Sequence, residues 1–216
     1  MPIPPTTDYF FTQGQAKFNL NVVDLEGGQR FTTDNYDMRM FAGLRYANMD
    51  HSLKTLLNDA TFLSINVIRG NQEFDSQFSG WGPRIGVDAR YCWSGGFGFD
   101  ANVSSALLVS HIDASYQANL FFGSSNVPVS SFQAKNNEVT RLVPVLEAKM
   151  GIDYAYTMSS WCNSSLVFEF GYQLTNYFNA IDHVRVVDPD TGIVVYQNMT
   201  TDVGFEGFYL GVKYYA

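Results

Sequence analysis

Trp81-Gly82-Pro83-Arg84-Ile85-Gly86-Val87-Asp88-Ala89-Arg90-Tyr91-Cys92-Trp93 separates cleanly when read at every second residue. Trp81, Pro83, Ile85, Val87, Ala89, Tyr91 and Trp93 form one series, and Gly82, Arg84, Gly86, Asp88, Arg90 and Cys92 the other. Successive side chains of a strand point to opposite faces, so this alternation predicts a long β-strand with one apolar and one polar side. The pattern extends in both directions. After the turn Ser94-Gly95-Gly96, Phe97, Phe99, Ala101, Val103, Ser105, Leu107 and Val109 oppose Gly98, Asp100, Asn102 and Ser104. Upstream, Tyr36, Met38, Met40, Ala42, Leu44 and Tyr46 oppose Asp37, Arg39, Phe41, Gly43 and Arg45.

Three further stretches behave alike. Leu142, Pro144, Leu146, Ala148, Met150, Ile152 and Tyr154 oppose Arg141, Glu147, Lys149, Gly151 and Asp153. Leu166, Phe168, Phe170, Tyr172 and Leu174 oppose Glu169, Gly171, Gln173 and Thr175. Phe208, Leu210, Val212 and Tyr214 oppose Gly207, Gly211 and Lys213 near the end of the chain. A weaker member, Phe18, Leu20 and Val22, is blurred by Val23 and Leu25. Seven strands result. Their connections alternate between short links, at 32–35, 94–96 and 157–163, and long polar segments, at 51–78, 113–138 and 181–202. This predicts an antiparallel up-and-down meander. The segment 53–68 reads as a short helix within the first long connection. An eighth strand could come from Asp8 to Gln13 or from part of Thr61 to Arg69.

Composition narrows the class. The chain has 216 residues, room for one domain over 1–216, and no composition break marks a linker. Only 16% of residues are charged while 16% are aromatic, which argues against disorder. A net charge of −8 argues against nucleic acid as a partner, since phosphate recognition needs a basic face. No uninterrupted apolar run exceeds four residues, as in Ala106–Val109, so no spanning helix exists. The N-terminus carries no basic-then-apolar signal pattern.

A soluble sandwich or barrel would put the apolar series inside, with strands of about five or six residues. The alternating stretches here reach eleven to fifteen residues, enough for the 9–11 tilted residues of a bilayer crossing. The polar series holds Gly, Arg, Asp, Asn, Ser and Thr rather than scattered lysines, as a crowded wet lumen would. Tyr36, Tyr46, Trp81, Trp93 and Tyr154 stand near the ends of the apolar series, where interfacial girdles lie. The reading is a transmembrane β-barrel of all-β class, with the apolar series facing lipid. Its polar series brings inward Arg39, Arg45, Arg84, Arg90, Arg141, Lys149 and Lys213, against Asp37, Asp88, Asp100, Glu147, Asp153 and Glu169. That set nets +1 and leaves −9 for loops, rims and termini. So balanced a lumen is either a salt-bridged plug or a narrow polar pore.

The stretch from Phe78 to Tyr91, with Gly95-Gly96-Phe97-Gly98-Phe99 and Ser105 to Val109, resembles the Legionella major outer membrane protein-like pore-forming family. Leu20 to Glu26, Phe41 to Ala47 and Gly207 to Lys213 fit the same pattern. The likeness covers 16–112 well and 139–216 more loosely, and the Gly-Pro-Arg segment is its most specific part. It implies a bacterial outer-membrane barrel that passes small solutes, with no cofactor. Expected partners are outer-membrane lipid, lipopolysaccharide and the barrel-assembly machinery, and a homo-oligomer is compatible with it. Family members carry a signal peptide and further strands upstream. Bacterial single-chain barrels also have even strand numbers. The expectation is therefore that about three N-terminal strands are missing, about ten making the full barrel. The last strand alternates as an assembly signal does, but it ends in Ala216 rather than an aromatic residue.

The remaining constellations point to no catalysis. His51, His111 and His183 fall where strands enter the long connections, and Ser52 or Ser110 could join them in a lipid-hydrolase dyad. No acidic residue is spaced to orient an imidazole. Gly95 to Gly98 lacks the following helix and Lys-Ser of a phosphate loop. Cys92 and Cys162 lie beside short turns at one end and could pair or remain separate thiols. The expected pore-lining residues are Arg39, Arg45, Arg84, Asp88, Arg90, Asp100, Arg141, Glu147, Lys149, Glu169 and Lys213. The expected activity is passive diffusion of ions and small polar solutes. A non-conducting anchor or adhesin acting through acidic loops is the rival reading, and a lipid hydrolase stands behind it.

Overall fold

Period-two patterning carries through nearly the whole chain, and the structure follows it. The computed structural model describes residues 10–62, 66–122, 127–128, 130–158, 164–187 and 195–215. They form seven strands: β1 (Phe10–Thr32), β2 (Tyr36–Phe62), β3 (Asn66–Cys92), β4 (Phe97–Phe122), β5 (Ser130–Met158), β6 (Ser164–Val187) and β7 (Val195–Tyr215). Each pairs antiparallel with the next in the order β1-β2-β3-β4-β5-β6-β7. The sheet curls into a half-barrel, and no β1–β7 ladder is present among the described residues.

The strands are 21 to 29 residues long, about twice the expected length. The segments read as long connections are mostly strand. Residues 53–62 continue β2 instead of forming a helix, paired with β1 and β3. Neither proposed source of an eighth strand is separate: Phe10 to Gln13 begins β1, and 61–62 and 66–69 belong to β2 and β3. The physical reason is that backbone N–H and C=O groups of these extensions meet a partner strand on each side, so polar residues there sit on a hydrogen-bonded ladder and need no loop.

The two short turns within the described residues, after β1 and before β4, are as expected. Thr33 N–H donates to the Tyr36 carbonyl at 2.7 Å, and Trp93 N–H to the Phe97 carbonyl at 2.7 Å. Gly95 and Gly96 take φ of 84° and 86°, and at Gly96 a Cβ would also lie 2.8 Å from the Ala155 carbonyl oxygen. Glycine is required by both sterics and conformation. The link between β5 and β6, with Cys162, lies outside the described residues, and so does any pairing of Cys92 with Cys162.

The outer face carries a continuous apolar band. Tyr46, Trp81, Val109 and Leu142 occupy one register row, and Tyr36, Tyr91, Phe99 and Ile152 another. Tyr36 and Trp81 are 62% and 61% exposed, and Trp93 and Tyr154 also lie on this face, so the aromatics stand at the edges as interfacial residues do. Ring pairs Tyr36–Tyr91 (4.8 Å) and Phe97–Tyr154 (4.9 Å) join neighbouring strands at the short-turn edge. On β2 the two rows bracket eleven residues, the length of a tilted crossing. Beyond the Tyr46–Leu142 row the described outward positions of β2 to β4 turn largely polar, as at Ser52, Lys54 and Gln117.

β1 departs from the expected facing. Phe18 and Leu20 point inward and pack on the interior cluster, while Val23 and Leu25 are 64% and 74% exposed on the outer face. The apolar residues on both sides blurred the alternation because both sides of β1 are dry at that height.

Candidate functional site

Inside the curl, three levels follow one another from the short turns upward. The lowest is a cavity of about 620 Å³, lined by Arg30, Asp37, Arg39, Asp88, Arg90, Asp100, Asn102, Lys149 and Glu169 among others. Here Arg39 Nε meets Asp88 at 2.7 Å, and Arg90 pairs with Asp153, which is almost fully buried. Lys149 lies 3.7 Å from Glu169 and 3.9 Å from the centre of the Tyr209 ring. The Tyr209 hydroxyl donates to Asp100 Oδ2 at 3.1 Å, reaching from β7 to β4. It can do so because Gly151 and Gly171 lie between: a Cβ at Gly171 would fall 2.6 Å from Tyr209 Cε1.

Above it lies an ionic cluster that crosses the interior. Arg45 donates to Asp24 through Nε (2.7 Å) and Nη2 (2.6 Å), a bidentate pair across directly opposed positions of β1 and β2. Its Nη1 lies 2.7 Å from Glu147 on β5. Arg84 reaches Glu26 and Ser104, the latter at 3.0 Å, and Glu147 at 3.1 Å. Gly43 stands opposite both Glu26 and Arg84 in register, and a Cβ there would fall 2.7 Å from Glu26 Cα. Arg39 closes the group through Glu26 at 2.6 Å. Three guanidiniums thus face four carboxylates, Asp24, Glu26, Asp88 and Glu147. Burial of Arg45 (3% side-chain exposure) makes such pairing obligatory, since an unpaired charge there would carry the full desolvation cost.

The third level is apolar. Ala47, Met49, Phe78, Ala106, Leu108, Ile112, Val143, Val145, Tyr177 and Ile181 form one buried cluster, with Phe18, Leu20, Val203 and Phe205 packed on it. Phe78 of β3 meets Tyr177 of β6 at 6.4 Å, and Phe18 of β1 meets Phe205 of β7 at 5.1 Å. Among the described residues, the Tyr177 hydroxyl has no hydrogen-bond partner in this layer. At its edge, next to Val143 and Ile181, Arg141 pairs with fully buried Asp182 at 2.6 Å. Asn179, in the left-handed conformation at φ 56°, bulges β6 there and turns Asp182 inward, held by its N–H to Asp202 at 2.8 Å.

Arg39, Arg45, Arg84, Asp88, Arg90, Asp100, Glu147, Lys149 and Glu169 all project inward into the first two levels. Arg141 projects inward too, at the edge of the apolar layer, the next inward residue after Val143 on β5. The Lys213 side chain lies outside the description. Asp24 and Glu26 were missed, although their i, i+2 spacing around outward Leu25 carried the signal. They add two carboxylates to the inward set. The apolar layer was missed as well. Its mark was the loss of alternation at Ala106 to Val109 and Leu142 to Leu146, where apolar residues fill both faces.

His51 and His111 do not converge. His51 faces inward between Phe18 (6.2 Å) and Phe74 (5.9 Å), whereas His111 faces outward with Thr140 Oγ1 3.2 Å from its Nδ1. His183 has no described side chain. Ser110 points inward and bonds the Arg141 carbonyl at 2.9 Å, so sequence neighbours His111 and Ser110 stand on opposite faces. Among the described residues no group of three or more His, Cys, Asp or Glu is placed to hold a metal ion.

A family model described as Legionella pneumophila major outer membrane protein precursor matches residues 5–216. The chain belongs to the Legionella major outer membrane protein family, and with its lipid-facing band it is a protein of the bacterial outer membrane. No curated protein and no solved structure matches it.

Proposed function

We propose that this member of the family is a pore-forming protein allowing passive diffusion of ions and small polar solutes. One observation carries the reading: a charged cavity at the short-turn end leads directly to the Arg39–Arg45–Arg84 cluster inside an apolar outer band. Interior charge of both signs, held by paired partners, presents fixed dipoles to a passing ion without collapsing around it. The excess carboxylate favours cations at this level. Lipid and lipopolysaccharide contact the outer band, and no bond is made or broken.

The test is conductance across a planar bilayer after refolding from detergent. Discrete steps whose amplitude scales with salt are the expected result. A folded, heat-modifiable protein that stays silent, alone and in every variant described below, would replace the pore reading with that of an anchoring barrel. Lipid turnover by the purified protein would instead make it an enzyme.

A further inference from the structure

An ion that entered the lower cavity and passed the ionic cluster would next meet side chains with no charge to offer. Met49, Phe78, Leu108, Ile112 and Val143 are each no more than 1% exposed, and they come from four different strands. The layer reaches from the first strand to the last, because Phe18 and Phe205 touch although β1 and β7 share no ladder among the described residues. Nor is there room to spare beside it. At Gly80, in the same layer, an added Cβ would lie 3.0 Å from Ser110 Cβ and 3.3 Å from Leu108 Cβ. By contrast the ionic cluster already holds polar groups that can replace an ion's hydration.

From these contacts we infer that the apolar layer, not the arginine cluster, is the principal barrier to solute passage, and that it gates the lumen by excluding water. This rests on the pore reading above. An apolar constriction narrower than a hydrated ion is closed without being sterically sealed, because water leaves it and an ion crossing it would lose its hydration with nothing in exchange. The arginines then set which ion is favoured, and the layer sets how many pass. Brief rotation of Phe78 or Tyr177, whose rings meet across the curl, would wet the path. The unpartnered Tyr177 hydroxyl supplies a polar group for the first water to bind.

The experiment compares wild type with Val143→Thr and Leu108→Ser in planar bilayers, with Arg84→Gln in parallel. Val143→Thr keeps the volume and exchanges one methyl for a hydroxyl, so it tests wetting without a cavity. Both layer variants are expected to raise mean conductance about tenfold, by more time open or larger steps. Arg84→Gln is expected to change ion preference with little change in conductance. If wild type conducts and the layer variants match it, the layer is no barrier while the pore reading stands. If all are silent although folded, both fall. A second measurement does not depend on those variants inserting. With Cys92 and Cys162 replaced by Ser, a charged thiol reagent should modify Ala106→Cys at least about tenfold more slowly than Asn102→Cys in the lower cavity. Equal rates would mean a wet layer and overturn the inference.

Discussion

Replacing Glu147 by Gln removes one charge from the point where three strands meet, and nearly nothing else. The carboxylate accepts from Arg45 at 2.7 and 2.9 Å, from Arg84 at 3.1 Å and from Ser104 Oγ at 2.9 Å. A Gln side chain keeps one acceptor oxygen and turns an amide N–H₂ toward a guanidinium. With the amide in place of Oε1, the Arg45 Nη1 bond is lost outright and the two guanidinium bonds at the other oxygen are weakened, where a bond to a charged group is worth about 1.5–3 kcal/mol. Arg45 cannot recover water, being 3% exposed, but it keeps its bidentate bond to Asp24, and Arg84 keeps Glu26. The expected loss is thus about 3 kcal/mol, at the low end of what breaking a buried pair costs. With a urea slope near 2 kcal/mol/M, the unfolding midpoint in lipid vesicles should fall by about 1.5 M. The same change takes the cluster from three guanidiniums and four carboxylates to three and three. A unit charge about 7 Å from a passing ion is worth about 0.6 kcal/mol in water, so the cation-to-anion permeability ratio should fall by about sevenfold. Trp fluorescence gives the first quantity and reversal potential in a salt gradient the second. A midpoint within about 0.2 M of wild type would refute the assignment of Glu147 as the ionic link between β2, β3 and β5. An unchanged reversal potential with a shifted midpoint would leave the cluster a structural brace only.

Tyr209→Phe removes the hydroxyl that reaches Asp100, and should cost about 1 kcal/mol by urea titration. Gly171→Ala should cost more than that, because its methyl meets both the Tyr209 ring and the Met150 carbonyl, and adding Tyr209→Ala should recover part of the loss. Substituting Arg84 and Arg90 together by Gln should make the pore more cation-selective at constant fold, read from the reversal potential. Single-Trp proteins retaining Trp81 or Trp93 should both be quenched by brominated lipid, and most strongly with bromine near the headgroups, as the two girdle rows require. Quenching deepest at the bilayer centre for either one would displace the band.

Antiparallel order, the inward and outward assignment of the membrane half and the short glycine turn were legible in the sequence because each rests on local geometry. Strands alternate with a period of two whatever surrounds them, and lipid on one side keeps that side apolar from Tyr36 to Tyr46 and from Trp81 to Trp93. The arginines were recognised as inward for the same reason. Strand length was not legible. A polar residue on a strand and one in a loop look alike unless a pairing partner is known, and the partners of Leu53 or Ser115 lie on other strands.

The interior was decided by tertiary structure. Whether Arg45 lines an open passage or is clamped depends on Asp24, 21 residues away and set opposite it by strand pairing, and on Glu147, 102 residues away, which only the curl of the sheet brings within 2.7 Å. The apolar layer is likewise a property of closure. Phe18 and Phe205 read as residues of two unrelated edge strands, and they become neighbours because twist and inward packing bend seven strands until the far walls touch. Alternation tells each side chain which face it is on, while curvature alone determines what it meets there.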